Sequence, residues 1–301
     1  MTFATKRGRR SNTKLGRRLA PYLFVAPNML IFAIFIIFPA INGFNISFYN
    51  SNNGRTFNFV GFGNYATLVS DADFWSAVRN TLVFVVLFVT LTTWLAILLA
   101  VTLNAQVRAK GFFRTVVFLP VLLSPVVIGL LWNWIFDRQN GLLNIALSHV
   151  GLGAPGWLVS SGLAMGVTIF VALWTHTGFY TIILLAGLQG IDGNVYEAAR
   201  LDGAGPFQTL RSITLPLLQP TVFVVIILAA ITAFQAYDFI YTLTGGGPIG
   251  ATTLLVQYIY DHAFQSPIEY GLASAAGVVL FLTVLFATLI SFFIGRKREA
   301  V

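Results

Sequence analysis

The sequence predicts an all-α, polytopic membrane protein with six transmembrane helices and a cytoplasmic helix-turn-helix loop. Hydrophobic residues make up 57% of the 301 residues and charged residues only 9%, and the mean hydropathy is +0.81. Several apolar runs reach the roughly 20 residues that a helix needs to cross a hydrocarbon core about 30 Å thick. The chain has no cysteine, so a disulfide framework and thiolate chemistry are excluded.

The apolar runs define a single transmembrane domain over residues 1–301. Six crossings return the C terminus to the side of the N terminus, and the connecting loops alternate between the two sides. The predicted spans cover residues 19–41, 77–103, 113–136, 162–186, 219–241 and 269–294.

The basic residues test this topology, because the cytoplasmic loops of membrane proteins carry an excess of lysine and arginine. With alternating loops, 15 of the 18 basic residues fall on one side of the membrane. The other side holds Arg55, Arg79 and Arg138. Both termini and the loop at 190–218 are therefore predicted to be cytoplasmic.

Residues 1–18 form a basic tail without an acidic residue. Such a run can bind nucleic acid or anionic lipid. Because it directly precedes the apolar run 19–41, a topology anchor is the better explanation, and no nucleic-acid partner is expected. That run is longer than a typical signal-peptide core and no clear cleavage site follows it, so we expect it to remain as the first span.

The third span contains two prolines, Pro120 and Pro125. Proline removes a backbone donor and crowds the preceding turn, so it kinks or breaks a helix unless neighbours bond the freed carbonyls. We therefore predict a bend in this span. Broken membrane helices of this kind often line a pathway.

Polar residues form a stripe toward the outer end of the fifth span. Thr232, Gln235, Asp238 and Thr242 have the i, i+3, i+4 spacing of one helical face. Because polar groups are costly in lipid, the stripe faces either a watery path or a neighbouring helix, and the sequence leaves both open. The candidate residues of a substrate path are Asn133, Trp174, His176, Gln235, Asp238 and Thr242.

A charged, turn-rich island, residues 196–220, separates two apolar spans. Asn194 and Glu197 have the spacing of a capping box, which predicts a short helix from about Val195. Gly203 and Gly205 permit the left-handed backbone that ends a helix.

A second helix is predicted immediately after this turn. Pro206 suits its first turn, and the helix is expected to cover 207–214. Pro216 is expected to stop it, because proline lacks the amide donor and disfavours helical geometry in the residue before it.

The island resembles the EAA loop of permease subunits of bacterial ABC importers, in both residue type and spacing. In that family the short helix of the loop fits a groove on the cytoplasmic ATPase and transmits its closure to the membrane helices. The alternative is that Glu197 only caps the helix and Gly203 only forms the turn. The resemblance implies ATPase coupling for Glu197, Ala198, Ala199, Asp202, Gly203, Ala204, Ile213, Leu215 and Pro216.

Residues 243–248, LTGGGP, resemble a segment of the carbohydrate-uptake branch of these permeases, which includes the maltose, lactose and glycerol-3-phosphate systems. The resemblance covers nearly the whole chain and is to the first permease subunit of such pairs. The first subunit of the maltose system carries extra N-terminal spans and a large outside domain, so the resemblance is closer to the compact members of the branch. The implied substrate is a sugar or sugar-like solute, with glycerol 3-phosphate among the candidates. The alternative is a solute of another class.

The resemblance also implies partners and a location. The partners are a second homologous permease subunit, two copies of a cytoplasmic ATPase subunit and an extracytoplasmic solute-binding protein. The chain would lie in the lipid of a bacterial plasma membrane. It would bind no cofactor itself, and ATP and Mg would be used by the ATPase subunits.

Enzyme functions find no support in the sequence. A Walker A loop needs Gly-Lys followed by Ser or Thr, and no lysine here follows a glycine. His149, His176 and His262 lack metal-site spacing, so no metal site is expected. An intramembrane enzyme would need paired carboxylates or a histidine cluster. A secondary transporter would have more spans or ion-coupling acids.

Overall fold

The computed structural model describes residues 13–104 and 110–299, and most of these residues are α-helical. In the described residues, one short antiparallel pair joins β1 (Tyr49–Asn50) to β2 (Asn58–Phe59). The α-helices recorded there are α1 (Thr13–Phe32), α2 (Phe38–Ile46), α3 (Gly63–Ser70), α4 (Ala72–Asn104), α5 (Lys110–Phe118), α6 (Pro125–Ile135), α7 (Leu142–His149), α8 (Ser161–Gln189), α9 (Gly193–Leu201), α10 (Pro206–Thr209), α11 (Leu215–Phe234), α12 (Asp238–Thr244), α13 (Leu255–Phe264) and α14 (Tyr270–Glu299).

Within the described ranges, five helical segments are long and apolar enough to cross a membrane, and the number reaches the predicted six if one bent pair of helices is counted as a single span. Several of these segments are longer than the spans predicted from the sequence, because the helix continues beyond the most apolar residues. The five segments are Pro21–Ile46, Ala72–Asn104, Ser161–Gln189, Pro206–Phe234 and Tyr270–Phe293.

The third span is broken, as its prolines predict. The helical segment Gly111–Leu122 meets Pro125–Ile135 at an angle of 99°. Leu123 and Ser124 between them have extended backbone, with ψ of 146° and 132°. Extended geometry at Ser124 is expected because helical geometry is disfavoured before a proline. The bend turns α6 away from the inner half of the span.

Pro216 does not stop the second helix of the island, so that prediction is wrong. A π-helical turn, Leu210–Thr214, joins α10 to α11, and Pro216 is the second residue of α11. The same arrangement occurs in the first span, where the π-helical turn Ala33–Ile37 precedes Pro39. A π-helical turn changes the hydrogen-bond register of a helix. In both spans this turn lies just before a proline, which has no backbone amide hydrogen to donate. The result is one helical segment from Pro206 to Phe234.

The fifth span ends earlier than predicted, at Phe234 rather than 241. The Gln235 amide still bonds to the Ile231 carbonyl, but the Ala236 amide bonds only three residues back. Tyr237 then has φ of −148° and ψ of −59°, which breaks the helix before α12 begins. The polar stripe therefore does not lie on one helix.

The core of the molecule lies between α4, α8 and α11. Phe84 and Phe88 of α4 stack with their ring centroids 5.7 Å apart, and both are buried with Tyr180 of α8. Ala96 and Ala100 are fully buried, which lets helix backbones approach closely, as small residues do in membrane bundles. The spans thus pack around α8, whose C-terminal end leads to α9.

Candidate functional site

The first helix of the island, α9, begins at Gly193 and is capped by Asp192. The Asp192 carboxylate accepts a hydrogen bond from the Asn194 amide at 3.0 Å and another from the Asn194 side chain at 3.2 Å. The predicted capping box of Asn194 and Glu197 is therefore wrong, because an aspartate just before the helix already bonds the open amide. Glu197 is exposed and takes no part in this cap.

The turn after α9 is a Schellman motif. The Ala204 amide donates to the Ala199 carbonyl at 2.9 Å, and the Gly203 amide donates to the Arg200 carbonyl at 3.1 Å. Gly203 has φ of +78°, the left-handed conformation predicted for it and one that glycine adopts without strain. Gly205 has φ of −71°, so the same prediction for Gly205 is wrong.

The hairpin formed by α9 and α10 has an exposed, partly apolar tip. Leu201 is 89% exposed and Phe207 is 73% exposed. Neither residue belongs to the EAA motif. The sequence distinguishes them only as large apolar residues within the charged, turn-rich island. The hairpin tip is defined here as Glu197, Ala198, Leu201, Asp202, Gly203 and Phe207, which are all exposed.

The remaining motif residues lie behind the tip. Ala199 is buried, with 5% exposure, and Ala204 is half-buried. Ile213 lies in the π-helical turn and is half-buried, whereas Leu215 and Pro216 belong to the start of α11. The structure thus places four of the nine motif residues at the exposed tip, two in the body of the hairpin and three in the helical segment that follows it.

Two of the candidate path residues hold α6 against α12. The Asn133 side chain donates to the Leu243 carbonyl at 2.7 Å, and the Thr242 hydroxyl bonds to the Phe239 carbonyl of its own helix at 3.2 Å. The helices touch at Gly129, where a Cβ atom would overlap the Thr242 side chain. Asn133 and Thr242 thus both take part in the packing of α6 against α12.

Gln235 and Asp238 lie at the break between α11 and α12, and both are exposed. Asp238 is the first residue of α12, a position where a negative charge is favourable because it faces the positive end of the helix dipole. Thr232 lies earlier, on α11, and its hydroxyl bonds to the Tyr180 hydroxyl at 3.0 Å. Of the predicted stripe, only Gln235 and Asp238 present exposed polar groups.

Trp174 and His176 contact different neighbours of α8. The Trp174 ring packs edge to face on Trp132 of α6, with centroids 5.3 Å apart. The His176 ring packs in the same manner on Phe88 of α4, at 5.8 Å. Residues two apart point to different sides of a helix, so these two do not form one binding surface.

An aromatic cluster beside the break went unrecognised in the sequence. The Tyr237 ring centroid lies 5.4 Å from that of Tyr241 and 5.0 Å from that of Tyr260, and Tyr260 lies 5.0 Å from Phe264. Burial, followed by the nearby Tyr260, Tyr241 and Asp261, raises the pKa of Tyr237, so its phenol stays neutral and can donate a hydrogen bond. The signal was the four-residue spacing within each pair of rings, Tyr237 with Tyr241 and Tyr260 with Phe264.

These rings and the polar groups beside them can bind a polyol. Aromatic faces offer apolar contact to the C–H face of a sugar ring, and phenol groups keep a polar end. The amide of Gln235 and the carboxylate of Asp238 add hydrogen-bonding groups at the same break. Among residues 13–104 and 110–299, no group of three histidine, aspartate or glutamate side chains could hold a metal ion.

The chain matches a known family over most of its length. The family described as "Binding-protein-dependent transport system inner membrane component" matches residues 92–299. The trehalose/maltose transport system permease protein MalF of Thermococcus litoralis is 35% identical over 282 residues, covering 92% of this chain and 94% of that protein. The lactose transport system permease protein LacF of Rhizobium radiobacter is 33% identical over 295 residues, covering 96% and 98%.

A solved structure has the same fold. It is the crystal structure of a bacterial alginate ABC transporter in complex with an alginate pentasaccharide-bound periplasmic protein. A chain of that complex is 27% identical to this one, with a TM-score of 0.83 and coverage of 96% of this chain and 98% of that chain. The protein is therefore a multi-pass member of the binding-protein-dependent transport system inner membrane component family, the permeases of ABC importers.

Proposed function

We propose that the chain forms half of the translocation path of an ATP-driven importer for a sugar or sugar-like solute, with glycerol 3-phosphate among the candidates. The observation that carries this proposal is the hairpin tip, where a capped turn presents Leu201 and Phe207 to a partner. Relatives named as trehalose/maltose and lactose permeases support the carbohydrate class. A permease for another solute class is the alternative.

The assembly that this function needs has four kinds of component. A second homologous permease completes the path, and two copies of a cytoplasmic ATPase subunit hydrolyse ATP with Mg. An extracytoplasmic protein delivers the solute. The alginate transporter, which was crystallised with a periplasmic protein, supports this last component. With alternating loops, 15 of the 18 basic residues fall on the side of the hairpin tip, which favours a cytoplasmic tip and cytoplasmic termini in a bacterial plasma membrane.

The helical segment Pro206–Phe234 connects the two candidate sites mechanically. It starts at the hairpin and ends at the break that carries Gln235 and Asp238. Its 29 residues span about 43 Å at 1.5 Å per residue. A helix is a stiff element, so a displacement of the hairpin by the ATPase moves the break and its aromatic cluster as well. Closure of the ATPase would thereby change the solute path.

The groups at the break favour a neutral solute. Gln235 and Asp238 bond hydroxyl groups well, and Asp238 repels a phosphate. A cation for an anionic solute would have to come from elsewhere, such as the partner permease. Titrating the cognate binding protein against a panel of sugars and glycerol 3-phosphate would identify the solute class.

The proposed orientation predicts where single cysteines react. Because the chain has no native cysteine, a cysteine at Gly205 reports the hairpin side and a cysteine at Arg55 the opposite side. We expect an impermeant maleimide on intact cells to label position 55 and to leave position 205 unlabelled until the membrane is opened. Labelling of position 205 in intact cells would refute a cytoplasmic hairpin.

The proposed path predicts reduced uptake for Gln235→Ala and for Asp238→Ala. Each loses hydrogen bonds to the solute that contribute roughly 0.5–1.5 kcal/mol, so uptake per assembled complex should fall about two- to tenfold. The matched control is Gln139→Ala, an exposed glutamine elsewhere, which should leave uptake unchanged. Normal uptake per complex in both variants would exclude the break from the solute path.

A further inference from the structure

The loop after α12 holds Ile249 in an exposed and strained position. Its side chain is fully exposed, at 102%, and its φ is +49°. A positive φ is uncommon for any residue with a Cβ and is a genuine outlier for a β-branched one. Glycine or asparagine would fit this backbone better. Folding alone therefore gives no reason for an isoleucine here, and such outliers concentrate at functional positions.

Hydrogen bonds hold this loop in place around Ile249. The hydroxyl of Thr252, a fully buried residue, donates to the Gly247 carbonyl at 2.8 Å. On the other side, the Asn80 side chain of α4 donates to the Gly250 carbonyl at 2.8 Å. The isoleucine is thus presented on a fixed support, which lowers the entropy cost of binding through it.

A cavity of about 360 Å³ lies beside Ile249, between its loop and the adjacent ends of α4 and α8. Arg79 contributes a cation to the lining, and within the described residues no carboxylate lies at ion-pair distance from it. The other lining groups include polar and apolar side chains. They include Ser76, Asn80, Ser161 and Met165.

We propose that Ile249 and Arg79 form a docking site for the extracytoplasmic solute-binding protein, an inference that rests on the proposed function. The partner covers Ile249 with an apolar pocket and directs a carboxylate to Arg79. An apolar anchor surrounded by polar groups is the usual anatomy of a binding hot spot.

The location selects this partner over the ATPase. The cavity touches α8 at Ser161, whereas the hairpin follows the other end of α8 at Gln189. The 29 residues of α8 separate the two ends by about 43 Å. A soluble protein that binds at Ile249 therefore approaches from the side opposite the hairpin tip. Arg79 and the surrounding hydroxyl groups make lipid an unsuitable occupant.

The test uses the complete importer in lipid nanodiscs and its purified solute-binding protein. Ile249→Asn removes the apolar side chain and suits the positive φ, so the dissociation constant of the binding protein should rise at least about tenfold while the thermal midpoint of the complex does not fall. Arg79→Gln should raise the dissociation constant and weaken its salt dependence. Leu152→Asn alters an exposed leucine in a different loop and serves as the matched control, with unchanged affinity.

Three outcomes overturn the inference. Affinity within twofold of the wild type in Ile249→Asn removes Ile249 from the docking site. Loss of the second permease from the Ile249→Asn complex means that the loop contacts that subunit instead. Failure of the wild-type importer to bind its solute-binding protein contradicts the proposed function, and this inference with it.

Discussion

Replacement of Gly178 by valine should prevent α8 from packing against the elbow of the third span, the bend between α5 and α6. It should also greatly reduce the yield of folded protein. A Cβ atom at Gly178 would overlap the Val117 carbonyl oxygen and lie 2.8 Å from its carbon and 3.2 Å from the Cα of Phe118. These are backbone atoms, so no side-chain rotation relieves the overlap. Overpacking typically costs about 1–3 kcal/mol and occasionally more, and the larger end of this range applies here.

Gly166 provides the matched control, because it lies on the same helix and has nothing within 4 Å of an added Cβ. Gly166→Val should leave the thermal midpoint of the purified protein close to that of the wild type, whereas Gly178→Val should lower it strongly or give no folded protein. Equal midpoints for the two variants would show that the α8 contact at the elbow is absent.

Much of the fold follows from the sequence, because lipid imposes simple requirements on it. A span must be apolar over about 20 residues, so length and composition predict the spans. Pro120 and Pro125 predict the elbow, because a proline has a local effect. Gly203 and Pro206 predict the turn of the hairpin for the same reason. Each of these features is decided by a few neighbouring residues.

Other features depend on contacts that no local rule contains. Pro216 would end an isolated helix, but a π-helical turn precedes it and the helix continues. Residues 219–241 are on average apolar enough to be one span, yet the helix is broken at Tyr237, and α12 packs on α6 through Gly129. The hydrogen bond from Asn133 of α6 to the Leu243 carbonyl of α12 likewise joins two helices that no local rule brings together.

The sequence predicted the location of the candidate sites but not all of their residues, for a similar reason. The motif locates the hairpin, but exposure distinguishes Leu201 from Ala199, which is buried. The aromatic cluster joins Tyr237, at the break before α12, to Tyr260 of α13, and sequence spacing does not show which segments meet. Exposure and contacts between helices therefore supply what the motifs leave open.

Leu201→Asp should release the ATPase subunits from the permease and abolish ATP-dependent uptake. Leu201 is 89% exposed at the hairpin tip, and burying a leucine side chain against a partner contributes about 1.5–3 kcal/mol. A carboxylate at that position would be buried without a partner, which adds a further penalty. Together these effects should weaken docking by roughly 100-fold or more. Phe207→Asp should act in the same direction.

The substitution should leave the permease itself intact, because the Leu201 side chain is almost fully exposed. Leu152→Asp is the matched control, since Leu152 is also exposed but lies in the loop between α7 and α8. It introduces the same charge without touching the hairpin tip. Its uptake and its ATPase content should match those of the wild type.

The most direct measurement is the amount of ATPase subunit that copurifies with a tagged permease from membranes containing the whole importer. Wild type and Leu152→Asp should retain two ATPase subunits for each pair of permeases, and Leu201→Asp should retain almost none, at equal permease yield. Full retention of the ATPase by Leu201→Asp would contradict the assignment of the hairpin tip as the coupling element.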